Sequence, residues 1–121
     1  MSQLSTEEIY QKILTIVAPF SLLECIQCAR AVMEWLVEHG IEGKILRLKT
    51  KRRSELFMTS DRHTPNESIT ENGTHYGVEV LGQVFDNLST VGLSRDEWLQ
   101  DFHCRSEQFL IEELQSLNRS G

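Results

Sequence analysis

Residues 21–40, SLLECIQCARAVMEWLVEHG, constrain the fold more than any other stretch of the chain. Ser21 followed three residues later by Glu24 reads as a capping box, in which each side chain satisfies a backbone N–H left free by the first turn. Gly40 reads as the C-terminal cap, with His39 placed where a cation favours the negative end of the helix dipole. Glu24, Gln27, Arg30, Glu34 and Glu38 make one narrow polar stripe, and Ile26, Ala29, Val32, Met33, Trp35 and Leu36 fill the rest. A helix that is apolar around most of its circumference must be covered on most sides, so the remaining elements are expected to pack around it. Cys25 falls in its first turn, where unpaired N–H groups and the dipole favour a thiolate over a thiol.

The 121 residues suit one domain, 1–121, with room for a real core. A formal charge of -6 argues against nucleic acid as a partner, because phosphate binding needs a cationic surface. The short basic run of Lys49, Lys51, Arg52 and Arg53 reads as a solvated strand end. Three cysteines do not make a disulfide framework and point to a reducing compartment. No signal peptide opens the sequence and no apolar run is long enough for a bilayer. A cytoplasmic protein, or an effector exported without a cleavable signal, fits; a membrane partner does not.

Upstream, Ser5 and Glu8 form another capping box, followed by Ile9, Tyr10, Ile13, Leu14 and Val17 at helical spacing, with Pro19 as the stop. This first helix is expected to lie against the central one. Ile45, Leu46 and Leu48 mark a strand within residues 41–50, with residues 54–59 as its expected partner. Residues 60–68 are turn-rich. Residues 75–80 alternate as a strand, Leu81-Gly82 makes a two-residue turn, and residues 83–87 run back. In that register Tyr76, Val78, Val80 and Phe85 share one face, while His75, Gly77, Val84 and Asp86 share the other. His75 and Asp86 are then diagonal neighbours; a loop one residue longer would put Asn87 in place of Asp86. Ser94 with Glu97 caps a short helix carrying Trp98 and Phe102, and Ser106 opens a last helix with Phe109, Leu110, Leu114 and Leu117 as its stripe. The fold class is α+β: the central helix on a small antiparallel sheet, with one N-terminal and two C-terminal helices outside.

A thiol at a helix start, a histidine on a strand and a carboxylate on the returning strand are the parts of a cysteine nucleophile site. The histidine takes the thiol proton and later delivers it to the leaving group, and the third residue orients the ring. The segments Cys25-Ile-Gln-Cys-Ala-Arg-Ala, Leu36 and Gly40-Ile41, then His75-Tyr-Gly-Val-Glu-Val and Val84-Phe-Asp86, are similar to the helix, histidine strand and aspartate strand of transglutaminase-like enzymes. Together with Asn72-Gly-x-His75, Asn87, Gly92-Leu93 and Trp98, they resemble the second papain-fold toxin family, small bacterial and often cyanobacterial domains of polymorphic toxin systems. The resemblance implies a papain-like fold, with Cys25 as nucleophile, His75 as base and Asp86 as orienting acid. It also implies peptidase, deamidase or acyl-transfer chemistry on a protein or peptide substrate, an immunity protein as partner, and no cofactor or metal. Papain has a glutamine six residues before its cysteine as an oxyanion donor; Pro19 stands there in this chain.

Four rival assignments carry their own expectations. Cys28 is the alternate nucleophile, since papain's own cysteine is second in a Cys-x-x-Cys, but it lies a turn deeper, where the dipole effect fades. A metal cluster would draw on Cys25, Cys28, His103 and Cys104, with poor ligand spacing in the adjacent last pair. A thioredoxin-like redox site would need a strand, not a helix, before Cys25. A papain-like domain with a silent site, acting as an interaction module, is the alternative of a different class.

Overall fold

The computed structural model describes residues 4–115. Helix α1 (Thr6–Val17) starts with the expected box, the Ser5 side chain accepting from the N–H of Glu8 and the Glu8 carboxylate accepting from that of Ser5. Helix α2 (Cys25–Glu38) starts later than the sequence suggests. Ser21 to Glu24 close a separate turn, with the N–H of Ser21 on the Glu24 carboxylate, so the helix begins at Cys25 itself. The other end is as expected: Gly40 takes a φ of +66°, which any side chain would resist, and the N–H of Ile41 returns to the carbonyl of Leu36 at 2.9 Å. His39 stacks on Trp35 and its Nδ1 lies 2.9 Å from the carbonyl of the same residue.

The strands are β1 (Lys44–Thr50), β2 (Thr59–Ser60), β3 (Thr74–Val80), β4 (Gln83–Phe85), β5 (Phe102–His103) and β6 (Phe109–Leu114); a single helical element, α3 (Arg95–Gln100), separates β4 from β5. A four-stranded antiparallel sheet runs β4-β3-β1-β6, and β2 pairs only with β5. The β3–β4 hairpin has the two-residue turn read from the sequence, with Leu81 and Gly82 both at positive φ and Val80 facing Gln83. Helices α1 and α2 cover one face, where Ile13, Val32 and Leu36 meet Val78, Val80 and Phe85. The opposite face buries Leu46, Leu48 and Val84 under Met58, Trp98 and Phe102.

Three expectations are corrected. Residues 54–59 do not pair with β1, whose neighbours are β3 and β6. Phe102 lies past the end of α3, on β5. The helix expected from Ser106 is instead strand β6, so one helix rather than two follows the hairpin among the described residues; Leu117 and residues 118–121 lie outside them. The physical cause is local and tertiary at once. The Ser106 N–H and hydroxyl are taken by the Glu55 carboxylate, and Glu107 sits at φ +57°, so no first turn can form. The free edge of β1 then satisfies the backbone downstream, and Arg47 meets Glu112 across the pair at 2.7 Å.

Candidate active site

The sheet brings the expected residues together at an edge. Strand β4 covers β3 only from Val78 to Val80, which leaves the start of β3 paired with β1 on one side and without a strand on the other. The first residue of α2 fills that gap, which brings the Cys25 thiol under the influence of the backbone N–H of Tyr76. His75 itself faces the side of the sheet away from α2, opposite Leu48 and beneath Trp98 and Phe102. The thiol therefore meets the ring around the exposed margin of β3 rather than across a face.

The ring is fully buried, and its Nε2 lies 2.9 Å from Asp86 Oδ2. Its Nδ1 has no partner of ordinary hydrogen-bond geometry among the described residues. With Nε2 occupied, the interaction with Cys25 falls to this second nitrogen, in the loose arrangement common to unliganded nucleophile–base pairs. Asp86, 1% exposed, is held on every side. Arg62 donates to both of its oxygens at 2.9 Å, Trp98 Nε1 donates to Oδ2 at 2.9 Å, and the N–H of Leu88 and the Ser89 hydroxyl reach Oδ1. Arg62 also reaches Asp101 through Nε at 3.0 Å and lies over the Phe102 ring. Ser60 donates to the same Asp101 oxygen.

These contacts decide the protonation states. Burial pushes the Cys25 thiol up, but the hydrogen bond and charge of His75 and the Tyr76 N–H outweigh it, and the net shift is downward despite the repulsion of Asp86. Burial alone would lower His75; hydrogen bonds to Asp86 and Cys25 and their charges raise it to about 9. Burial opposes ionisation of Asp86 too, yet His75 first and Arg62 second hold it far below the usual carboxylate range. All three shifts run in the direction that favours charge separation between thiol and ring beside an ionised carboxylate. Cys28 goes the other way: burial, then Asp86 and Cys25, push it up to about 12, so it is a neutral thiol packed in the core.

Comparison with known proteins gives one match. The model of papain fold toxin 2 fits residues 8–103, most of the chain and every residue of this constellation. The chain belongs to the papain fold toxin 2 family. Searches of curated proteins and of solved structures return no match. This papain fold toxin domain has a helix-on-sheet α+β architecture in keeping with the family.

The other sequence candidates are placed as follows. Asn87, the alternate orienting residue, turns away from the ring: its Nδ2 donates to the carbonyls of Ser21 and Leu22 and so ties the hairpin to the turn before Cys25. His103 and Cys104 are engaged with Asp61, Glu107 and Glu55, and no group of three or more potential metal ligands gathers among the described residues. A turn, not a strand, precedes Cys25. Among the described residues no helix is long and apolar enough to cross a membrane. Glu79, on the histidine face, is held by Arg95.

Arg62 and the Trp98 hydrogen bond are what sequence reasoning missed in this toxin. Arg62 lies in the turn-rich segment that carries no periodicity, and nothing local marks it as a buried cation. Trp98 reads as core, correctly, but only the fold aims its indole N–H at Asp86. Gly77 leaves room for that indole: a Cβ there would come within 2.8 Å of Trp98 Cζ2 and 3.1 Å of Val84 Cγ1. Gly77→Ala is accordingly expected to cost about 1–3 kcal/mol and to shift tryptophan fluorescence. An unchanged thermal midpoint and spectrum would contradict this packing.

Proposed function

We propose that this papain fold toxin domain is a cysteine hydrolase or acyltransferase acting on a protein or peptide substrate, with Cys25 as nucleophile, His75 as acid and base, and Asp86 as the orienting group. The observation that carries this reading is the His75 ring, with one nitrogen committed to a buried, charge-braced Asp86 and the other left for a thiol whose pKa is lowered. In the proposed reaction the Cys25 thiolate adds to a carbonyl carbon, and the imidazolium gives its proton to the departing amine. The neutral ring then takes a proton from water or another acceptor, which releases the acyl group. Asp86 accepts from Nε2 throughout, so the proton in transit sits on Nδ1. The family's toxin character supports an exported effector role, with an immunity protein that covers this edge of the sheet.

Alkylation with iodoacetamide at pH 6, read by mass spectrometry, tests the proposal. Cys25 is expected to label well ahead of Cys28, because the surroundings lower the first thiol and raise the second. The profile should remain that of an ion pair until His75 loses its proton near pH 9. Uniformly slow labelling that rises only above pH 8 would instead favour a silent domain serving as an interaction module.

A further inference from the structure

When a thiolate adds to a carbonyl, the oxygen takes the displaced electron pair and needs donors aimed at it. The backbone N–H of Cys25, first residue of α2, is one by position, because helix geometry leaves the first N–H groups without an internal partner. Pro19 offers no side-chain donor, and both carbonyls taken by Asn87 Nδ2 remove that amide from consideration.

We propose that Asn72 supplies the second donor through its Nδ2, as a further catalytic residue of the site described under the proposed function, on which this assignment rests. Asn72 and Cys25 line one small cavity of about 140 Å³, shared with Leu23, Ile26, Thr70 and Tyr76. The orientation of the amide follows from its partners. The backbone N–H of Thr74 can only donate, and it lies 3.1 Å from the side-chain atom assigned as Oδ1, which makes that atom the acceptor; the same N–H lies 3.3 Å from Thr70 Oγ1, whose own hydrogen goes to the Thr74 carbonyl. The NH₂ group is therefore the end left over, and it has no hydrogen-bond partner among the described residues. The turn that carries it is fixed. Thr70 Oγ1 lies 2.7 Å from the Thr74 carbonyl and 3.2 Å from the backbone nitrogen of Asn72, and Gly73 takes a φ of +75° where a Cβ would come within 2.5 Å of the Glu55 carbonyl oxygen. An amide held by its oxygen, three residues before the base on the same strand entry, is preorganised to receive a negative oxygen without rearrangement.

Two reagents separate this role from a structural one. p-Nitrophenyl acetate acylates a thiolate through a tetrahedral oxyanion: the sulfur–carbon bond forms, p-nitrophenolate leaves, and water later releases acetate. Iodoacetamide reacts by direct displacement of iodide, with no oxyanion. In the full chain, Asn72→Asp keeps an acceptor for Thr74 and removes the donor, and Asn72→Ala controls for the added charge. Both variants are expected to lose about tenfold or more in the acylation of Cys25, with iodoacetamide alkylation changed by less than about twofold. Equal losses in both reactions, or in neither, would overturn the assignment, as would loss on Thr74→Val, whose hydroxyl-bearing side chain also lines the cavity, with Asn72 variants unaffected. A wild-type Cys25 unreactive toward both reagents would strike the proposed function itself, and this assignment with it.

Discussion

His75→Ala is expected to remove the preferential reactivity of Cys25 and to lower any acyl-transfer activity by about a thousandfold or more, since it deletes both the proton donor and the charge that ionises the thiol. The thiol sits in a buried place that by itself raises its pKa, and the lowering depends on the ring first and the Tyr76 N–H second. Without the ring, burial and the negative Asp86 act unopposed, and each unit of upward shift removes tenfold of the thiolate at a fixed pH below the pKa. Iodoacetamide labelling of Cys25 at pH 6 should fall to the level of Cys28. His75→Gln, which keeps a donor near Asp86, separates loss of the base from loss of packing against Phe102 and Trp98. A variant that still labels Cys25 selectively would mean that the helix start alone activates the sulfur.

Arg62→Leu is expected to be the most damaging substitution outside the three proposed site residues, costing about 3–5 kcal/mol, because it removes the guanidinium from two buried carboxylates. The Arg62 side chain is 19% exposed and those of Asp86 and Asp101 are 0% and 7% exposed, so water cannot replace what the guanidinium provides. For a chain of this length the thermal midpoint should drop by roughly 10–20 °C. Combining Arg62→Leu with Asp86→Asn should cost less than the sum of the two, because one of the two uncompensated charges is gone. Additive losses would show that the contact contributes little coupling.

The same network sets the pH dependence of stability. His75 binds its proton more tightly folded than unfolded, so its contribution is complete below about pH 6.5 and is lost as pH rises through about 9. Asp86 is depressed, so its contribution is present above the unfolded value near 4 and fades only as pH falls through its much lower folded value. The lowered Cys25 thiol opposes the His75 contribution in the wild type, so the test uses Cys25→Ser. In that background denaturant midpoints should decline as pH rises from about 6.5 toward 9, and adding His75→Gln should remove most of that decline, leaving the part that belongs to the partly exposed His103.

Much of this toxin domain was legible before the fold was known. The α1 box, the Gly40 stop, the Leu81-Gly82 hairpin and the shared face of His75 and Asp86 all follow from local rules: capping, left-handed backbone at glycine, and the two-residue period of a strand. The neighbourhood of His75 and Asp86 was legible for the same reason, whereas Cys25 was joined to them by the family resemblance rather than by any local rule. The start of α2 was misread because Ser21 and Glu24 satisfy each other in a turn that looks, in sequence, like a cap.

The sequence by itself determined the periodic elements and the residue types they present, since those depend on neighbours three or four positions away. Tertiary structure decided which edge each strand would meet. Residues 109–114 became a strand because β1 offered unpaired backbone groups, an opportunity no local window contains. It also decided the electrostatics: Arg62 and Trp98 hold Asp86 from 24 and 12 positions away in the chain, and Asp101 holds Arg62 from 39 away, so the charge that faces His75 is set by contacts no local window contains.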